Sequence, residues 1–160
     1  MLAGRKNTGI IKGDIFVNGK VKDERQFRRM MGYVEQFDTL SPRDTVREAV
    51  EFAAGLRLPR DTSPDVMAAW VSQVISMLEL EPLQNTLVGS VDSGGMSFEQ
   101  KKRLSIAVEL VANPAILFLD EPVGVPRLWL LFKLVTYALI AAMPYRPLFR
   151  RRVLILELHK

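Results

Sequence analysis

Three stretches of this sequence carry apolar residues at the spacing of amphipathic helices, in which residues three or four positions apart lie on the same side. They run from about residue 45 to 56, from 64 to 80 and from 97 to 111. Asp44 or Thr45 is a suitable cap for the first helix, and residues 61–63 supply start signals for the second. Each helix is therefore predicted to bury one side against a core.

The third stretch has the clearest boundaries. Ser97 and Gln100 have the spacing of a capping box, in which a hydroxyl and an amide satisfy N–H groups at a helix start. The predicted apolar stripe consists of Leu104, Ala107, Val108 and Val111. We expect the three cations at positions 101 to 103 to remain in water on the other side. Free N–H groups and the helix dipole make such a start favourable for anions.

A short apolar run follows this helix, which is predicted to end at Asn113 and Pro114. Residues 115–119 (AILFL) contain no polar side chain, which is typical of a central parallel strand covered on both faces. Asp120 and Glu121 come directly after it, at the strand end where open α/β sheets place their ligands. Taken alone, the two carboxylates are also compatible with a simple turn.

The amino-terminal part contains weaker patterns. Residues 10–18 are rich in β-branched side chains and are followed by Gly19, which predicts a strand that leaves through a turn. Residues 25–31 are polar and basic and predict a short helix or a loop. Residues 32–36 (GYVEQ) suit a short buried strand ending on a polar side chain. Strands interleaved with helices indicate an α/β fold.

Composition changes this picture in two respects. The 160 residues make one domain the default and include no cysteine, which excludes disulfides and thiolate metal sites. Charge is unevenly distributed: up to Glu121 there are 15 basic and 17 acidic residues, and from Pro122 onward 7 and 1. The basic character therefore belongs to the tail, and no nucleic-acid partner is predicted. The start lacks the long apolar region of a secretory signal, so no export is expected.

Four segments, in order, resemble the nucleotide-binding domain of ATP-binding cassette (ABC) transporters, in particular the G subfamily of pleiotropic drug resistance type. The second such domain of full-length fungal, plant or oomycete pumps is most similar. The segment IKGDIFVNGK resembles the strand that follows the phosphate-loop helix of the family. The segment GYVEQFDTLSPRDTVREAV resembles the Q-loop and its following helix. The segment GMSFEQKKRLSIAVELVANP resembles the signature motif and its helix, and AILFLDEP resembles Walker B.

The resemblance implies a partial P-loop NTPase domain over residues 1–122, with parallel core strands and a helical subdomain. Residues 123–160 are expected to be an unrelated apolar and basic tail, helical or disordered. The sequence contains no GxxxxGK followed by Ser or Thr, and we expect that loop just upstream of Met1. Residues 123–126 (VGVP) stand where the family has Thr-Ser-Gly-Leu-Asp, and the sole histidine, His159, is not in the context of the family's switch histidine.

The same resemblance implies roles for five residues and two cofactors, ATP and Mg²⁺. Asp120 would hold the magnesium through water, and Glu121 would be the general base toward the attacking water. Gln36 would sense both the metal and the γ-phosphate. Ser97 and Gln100 would contact a nucleotide seated in a partner domain.

The signature motif can be aligned in two ways. Residues 93–95 (SGG) match the common LSGGQ superficially, but the basic helix must follow the motif directly, which favours residues 96–100. This alignment puts Phe98 and Glu99 where most cassettes have glycines. Side chains at these positions hinder a close backbone approach to phosphate, and the acidic Glu99 would weaken the contact.

The expected activity is ATP hydrolysis that drives transmembrane transport in a drug-efflux pump, with this chain inactive alone. Expected partners are a second nucleotide-binding domain and the transmembrane domains, which would place the chain at the cytoplasmic face of a membrane. A cassette ATPase acting on DNA ends is disfavoured by the transporter-like segments. A second hypothesis is a non-enzymatic, membrane-associated or partner-binding protein that retains the scaffold.

The tail leaves two interpretations open. Residues 128–143 form a mostly apolar run, shorter than the roughly twenty residues that a membrane-spanning helix needs. Arginines follow at positions 146 and 150–152 and would favour an anionic lipid surface. Alternatively, the abrupt loss of family sequence inside a motif indicates a truncated or misjoined reading frame.

Overall fold

Five helical segments and seven strands make up the described part of the chain. The computed structural model describes residues 3–4, 13–36, 40–90 and 94–120, and the backbone of 154–158. In chain order the elements are β1 (Phe16–Val17), β2 (Lys20–Val21), α1 (Glu24–Met30), β3 (Met31–Val34), α2 (Val46–Arg57), α3 (Pro64–Met77), a 3-10 helix (Glu81–Leu83), β4 (Gly89–Ser90), β5 (Gly94–Gly95), α4 (Phe98–Leu110), β6 (Ile116–Asp120) and β7 (Leu154–Leu158).

The central sheet is parallel, with the strand order β3-β6-β7. Met31 lies opposite Ile116 and Val34 opposite Leu119, so the two strands run side by side with their carboxyl ends together. The predicted strands at residues 32–36 and 115–119 are both present: β3 begins one residue earlier and ends two residues earlier than predicted, and β6 is displaced by one residue at each end. The α/β class and the parallel arrangement of the core strands are thereby confirmed.

Both faces of β6 are buried, as the uninterrupted apolar run predicts. Leu117 and Leu119 belong to the larger hydrophobic core, which also receives the helices α2, α3 and α4. Phe118 points to the opposite face and packs in a second cluster with Phe27 of α1, with the ring centroids 6.3 Å apart. The side chains alternate between two apolar environments, which explains why no polar position interrupts the strand.

The three predicted helices are confirmed, and each begins at a capping side chain. Thr45 caps α2 with a complete capping box that includes Glu48, and Ser63 caps α3. Ser97 caps α4, again with a complete box. The indole Nε1 of Trp70 in α3 donates to the carbonyl of Val111, 2.9 Å away, and so connects α3 to the end of α4.

The first predicted strand is much shorter than expected. Of residues 10–18, the first three lie outside the described residues, and only Phe16–Val17 form a strand. The chain reverses through Asn18 and Gly19, which both have positive φ (51° and 76°), and pairs with β2 as a small antiparallel hairpin. The turn expected at Gly19 is present, and it ends the strand as predicted.

The expectation that the cations of α4 remain in water is wrong. Lys102 is only 3% exposed, and Lys101 and Arg103 are half-buried. The side chains of Lys101 and Arg103 donate to the backbone carbonyls of Gly89 and Leu78. The physical reason is that α4 is enclosed by α2, α3 and β3, so more of its circumference is covered than one apolar stripe suggests.

The tail prediction of helix or disorder is not met at residues 154–158. Their backbone forms β7, which pairs in parallel with β6 so that Leu154 lies opposite Ile116 and Leu158 opposite Asp120. The segment Leu-Ile-Leu-Glu-Leu has a strand-compatible composition, and β6 offers it an edge for backbone pairing. The apolar run at 128–143 lies outside the described residues. Within the described part, no helix is long and apolar enough to cross a membrane.

Two glycine substitutions should have opposite effects on stability. An added Cβ at Gly32 would lie 2.8 Å from Leu117 Cδ1 and 3.1 Å from Glu109 Oε2. Gly32→Ala should therefore lower the free energy of unfolding by about 1–3 kcal/mol through overpacking.

At Gly55, inside α2, a Cβ meets nothing within 4 Å. Gly55→Ala should raise the free energy by roughly 0.5–1 kcal/mol. Urea denaturation measures both, and equal signs would contradict the packing described at β3.

The capping box of α2 should make stability depend on pH. The backbone N–H and the hydroxyl of Thr45 both donate to the Glu48 carboxylate. These two bonds, the backbone bond more than the hydroxyl bond, hold the pKa of Glu48 below its usual value. Since the folded-state pKa is lowered, this stabilisation is present above pH of about 4.5 and is lost as the pH falls below it. Glu48→Gln should therefore destabilise the protein at pH 7, and the difference from wild type should shrink in acid.

A matched control comes from the cap of α3. Ser63 accepts from the N–H of Val66, and no carboxylate completes a box there. Ser63→Ala should cost about 1 kcal/mol, and this cost should be the same on both sides of the acid transition. Denaturation curves at several pH values measure both variants. A Glu48→Gln difference that stays constant with pH would contradict the assignment.

Candidate functional site

Two of the residues predicted to act on metal and phosphate lie at one edge of the sheet. Leu119 of β6 is opposite Val34 of β3, so Asp120, the last residue of β6, and Gln36, two residues after β3, lie at the same end of the sheet. Both side chains belong to half-buried residues. The carboxyl ends of parallel strands form the ligand-binding edge of an open sheet, and this pairing places both residues at that edge.

Tyr33 holds the carboxylate of Asp120. Its hydroxyl donates to Asp120 Oδ2 at 2.7 Å. Tyr33 is the register partner of Phe118, and the two ring centroids are 6.5 Å apart. The Tyr33 hydroxyl extends beyond Phe118 to reach Asp120, two residues further along β6. The bond engages one carboxylate oxygen and restricts the rotamer. This bond leaves the other carboxylate oxygen, Oδ1, unengaged by Tyr33.

Gln36 is held through its backbone. The ammonium of Lys102 in α4 donates to the carbonyl of Glu35 and, at 3.3 Å, to the carbonyl of Gln36. These contacts attach the segment after β3 to the helix that crosses it. They determine the point from which the Gln36 side chain extends.

Ser97 and Gln100 form a second pair at the start of α4. Gln100 Oε1 accepts from the N–H of Ser97 at 2.8 Å, and Ser97 Oγ accepts from the N–H of Gln100 at 3.3 Å. Ser97 is exposed, and its hydroxyl hydrogen is not needed by the box. The hydroxyl hydrogen and the amide NH₂ of Gln100 are the groups that could donate to an anion, whereas the Gln100 oxygen is occupied by capping.

The glycines of the competing alignment have a different role. Gly94 and Gly95 form β5, which pairs with Gly89 and Ser90 of β4. A Cβ at Gly89 would lie 1.9 Å from the carbonyl oxygen of Gly94, and both Gly94 and Gly95 have positive φ. These glycines are thus required by a tight backbone pairing ahead of the helix. The helix itself begins at Ser97, whose neighbour Phe98 is 63% exposed.

The donor set at the sheet edge is suited to Mg²⁺. Asp120 and Gln36 supply side-chain oxygens, and Mg²⁺ is usually held by one or two carboxylates together with substrate phosphates and water. Among the described residues, no group of three or more His, Cys, Asp or Glu side chains could hold a metal by itself. Two protein oxygens are compatible with an Mg²⁺ ion whose remaining ligands are phosphate oxygens and water. Glu121, predicted as the general base, lies outside the described residues.

The sequence analysis missed Tyr33 and Lys102. The contact of Tyr33 with Asp120 depends on the register between strands that are far apart in the chain. A sequence pattern could have identified Lys102, because Ile106 and Leu110 follow it at intervals of four residues. Both of these apolar residues are buried. A second apolar line on α4 indicates that the lysine, too, faces inward.

Comparison with known proteins relates this geometry to a family. The family model for ABC transporters matches residues 1–124. Over 122 residues the chain is 51% identical to ABC transporter G family member 51 of Oryza sativa subsp. japonica, covering 76% of this chain and 8% of that protein. It is 50% identical over 122 residues to ABC transporter G family member 38 of Arabidopsis thaliana, covering 76% of this chain and 9% of that protein.

The chain thus spans less than a tenth of the length of these relatives. Several further G family members match at similar identity, including member 31 of Arabidopsis thaliana at 49%. The resemblance drawn from the Q-loop, signature and Walker B segments is confirmed. This chain belongs to the ABC transporter family, in which it resembles the ATP-binding domain of G family members.

Proposed function

We propose that this chain is part of the ATP-binding and ATP-hydrolysing domain of a G family drug-efflux transporter, acting at the cytoplasmic face of a membrane. The observation that carries the proposal is the pairing of β3 with β6, which brings Gln36 and Asp120 to one edge of the sheet. Glu121 is the next residue in the sequence after Asp120. Metal ligand, metal sensor and base would then belong to a single phosphate site.

The chain's own residues would act by positioning and charge, which dominate phosphoryl transfer. Mg²⁺ bound with ATP would supply charge neutralisation at the phosphates. Asp120, with its rotamer restricted by Tyr33, would orient a metal-bound water. Gln36 would align the attacking water, and the carboxylate of Glu121 would accept its proton.

Ser97 and Gln100 would serve a nucleotide held by a second nucleotide-binding domain. The exposed hydroxyl of Ser97 lies at the start of a 13-residue helix, where free N–H groups favour an anion. Glu99 lies in the same turn and opposes an anion, although Arg103, 3.7 Å from it, offsets part of its charge. We therefore propose a weak contact across the domain pair, with the transmembrane domains as further partners.

Alone, the chain should bind ATP weakly and should not hydrolyse it. The sequence contains no GxxxxGK followed by Ser or Thr, so the backbone cradle and the lysine that hold β- and γ-phosphates are not supplied by these residues. The residues at the β3–β6 edge would supply contacts to the metal and to water. We propose residues 1–122 as the nucleotide-binding domain and 123–160 as a tail unrelated to the family, of which residues 154–158 pair with β6 as β7.

Calorimetry with ATP and Mg²⁺, together with a phosphate-release assay, tests this proposal on the purified chain. We expect no affinity in the micromolar range and no release above that of Asp120→Asn and Glu121→Gln. These variants are matched controls, because each removes one carboxylate charge with little change in volume. Magnesium-dependent turnover that disappears in Glu121→Gln would overturn the inactivity of the isolated chain.

A second candidate function is binding to an anionic membrane through the tail, favoured by its seven basic residues against one acidic residue. Flotation with vesicles containing phosphatidylserine tests it. If the tail binds, replacing Arg150, Arg151 and Arg152 by Gln should weaken binding roughly 100-fold, at about 1 kcal/mol for each charge.

The matched control replaces Arg25, Arg28 and Arg29, all exposed on α1, by Gln, and it should have little effect on binding. If the wild-type chain does not float, this candidate is excluded.

A further inference from the structure

We propose that Lys102 is a positioning residue that couples the start of α4, which carries Ser97, to the backbone that holds Gln36. The proposal deepens the proposed function and rests on it for the roles of Ser97 and Gln36. Ser97 would contact the nucleotide of a partner domain, whereas Gln36 would contact the nucleotide of its own domain. Lys102 would then form a direct mechanical link between two nucleotide sites.

The burial of Lys102 is the first argument. Lys102 is almost fully buried, at 3% exposure. A buried ammonium is costly unless it is hydrogen-bonded. Its Nζ donates to the carbonyls of Glu35 and Gln36. The fold therefore retains a charged group at the point where the strand before Gln36 ends.

The geometry of these two carbonyls is the second argument. In an extended strand, consecutive carbonyls point in opposite directions. Both carbonyls reach one ammonium, so the backbone leaves the strand conformation at Glu35 and Gln36 and is held in the new direction by Lys102. This agrees with the end of β3 at Val34. Without the ammonium, two partly buried acceptors would lose a charged donor.

The rigidity of α4 is the third argument. Lys102 lies five residues after the cap Ser97, which corresponds to about one and a half helical turns. Ile106 and Leu110, one and two turns further along the same side, are fully buried. A displacement of the helix start by a ligand at Ser97 would therefore move the Lys102 stem and, through it, the carbonyls of Glu35 and Gln36.

The neighbouring cations lack this connection. Lys101 donates to the carbonyl of Gly89 at 2.9 Å, and Arg103 donates to that of Leu78 and pairs with Glu79. Both attach α4 to the segments that precede it, and neither of these contacts involves β3. Lys101 is thus a matched control for Lys102, since it is the same residue type on the same helical turn with a different carbonyl as its acceptor.

NMR spectroscopy of the full chain tests the link without nucleotide. Lys102→Met should shift the carbonyl ¹³C signals of Glu35 and Gln36 and lower the backbone order parameter of Gln36 from about 0.85 to below about 0.6. Lys101→Met should shift the carbonyl signal of Gly89 and leave Gln36 ordered. Lys102→Arg, which retains charge and donors, should restore the order of Gln36 at least in part.

Several results would overturn the proposal. Unchanged order at Gln36 in Lys102→Met would do so, as would an equal loss of order across β3 and β6, which would indicate general destabilisation. If Lys102→Met does not fold, the wild-type chain still decides the question. The scalar coupling between ¹⁵N-labelled Lys102 Nζ and the two carbonyl carbons must then be present.

Adding millimolar Mg²⁺-ATP separates this proposal from the proposed function. In the wild-type chain the side-chain amide signal of Gln36 should move, and in Lys102→Met that movement should fall several-fold while Lys101→Met behaves like wild type. No movement in any variant would count against the ATP-binding role. The carbonyl and order measurements made without nucleotide would still decide the role of Lys102.

Discussion

The parallel pairing of β3 with β6 is the constraint on which the rest of the structure depends. A parallel connection needs a crossover, and the residues between the two strands provide it as α2, α3 and α4. These helices cover one face of the sheet, and α1 contributes Phe27 to the other. The same pairing aligns the carboxyl ends of the strands. Fold and candidate site therefore have one common origin.

Helix α4 connects the two parts of the candidate site. Its first turn carries the exposed cap Ser97, and its next turn carries the buried Lys102 that contacts the carbonyls after β3. Further along, Glu109 accepts from the backbone N–H of Tyr33 and from Arg57 of α2. One helix thus contacts both β3, at Tyr33, and the segment that follows it.

The chemistry of the site is limited by what surrounds it. Asp120 and Gln36 offer oxygens suited to Mg²⁺, but the ion needs water or phosphate oxygens as further ligands. At the start of α4, Phe98 and Glu99 stand beside the capping serine, so steric bulk and negative charge oppose the anion that the helix dipole attracts.

The sequence by itself determined the helices, their caps and the buried strand, because these depend on side-chain periodicity and on contacts within four residues. The capping box at Ser97 and the apolar run at 115–119 are examples. Only the tertiary structure decided the register of β3 against β6, the contact of Tyr33 with Asp120 and the burial of Lys102. These features depend on segments far apart in the chain, and no local pattern specifies which surfaces meet. A second apolar line through Ile106 and Leu110 was the one sequence feature that indicated the inward position of Lys102.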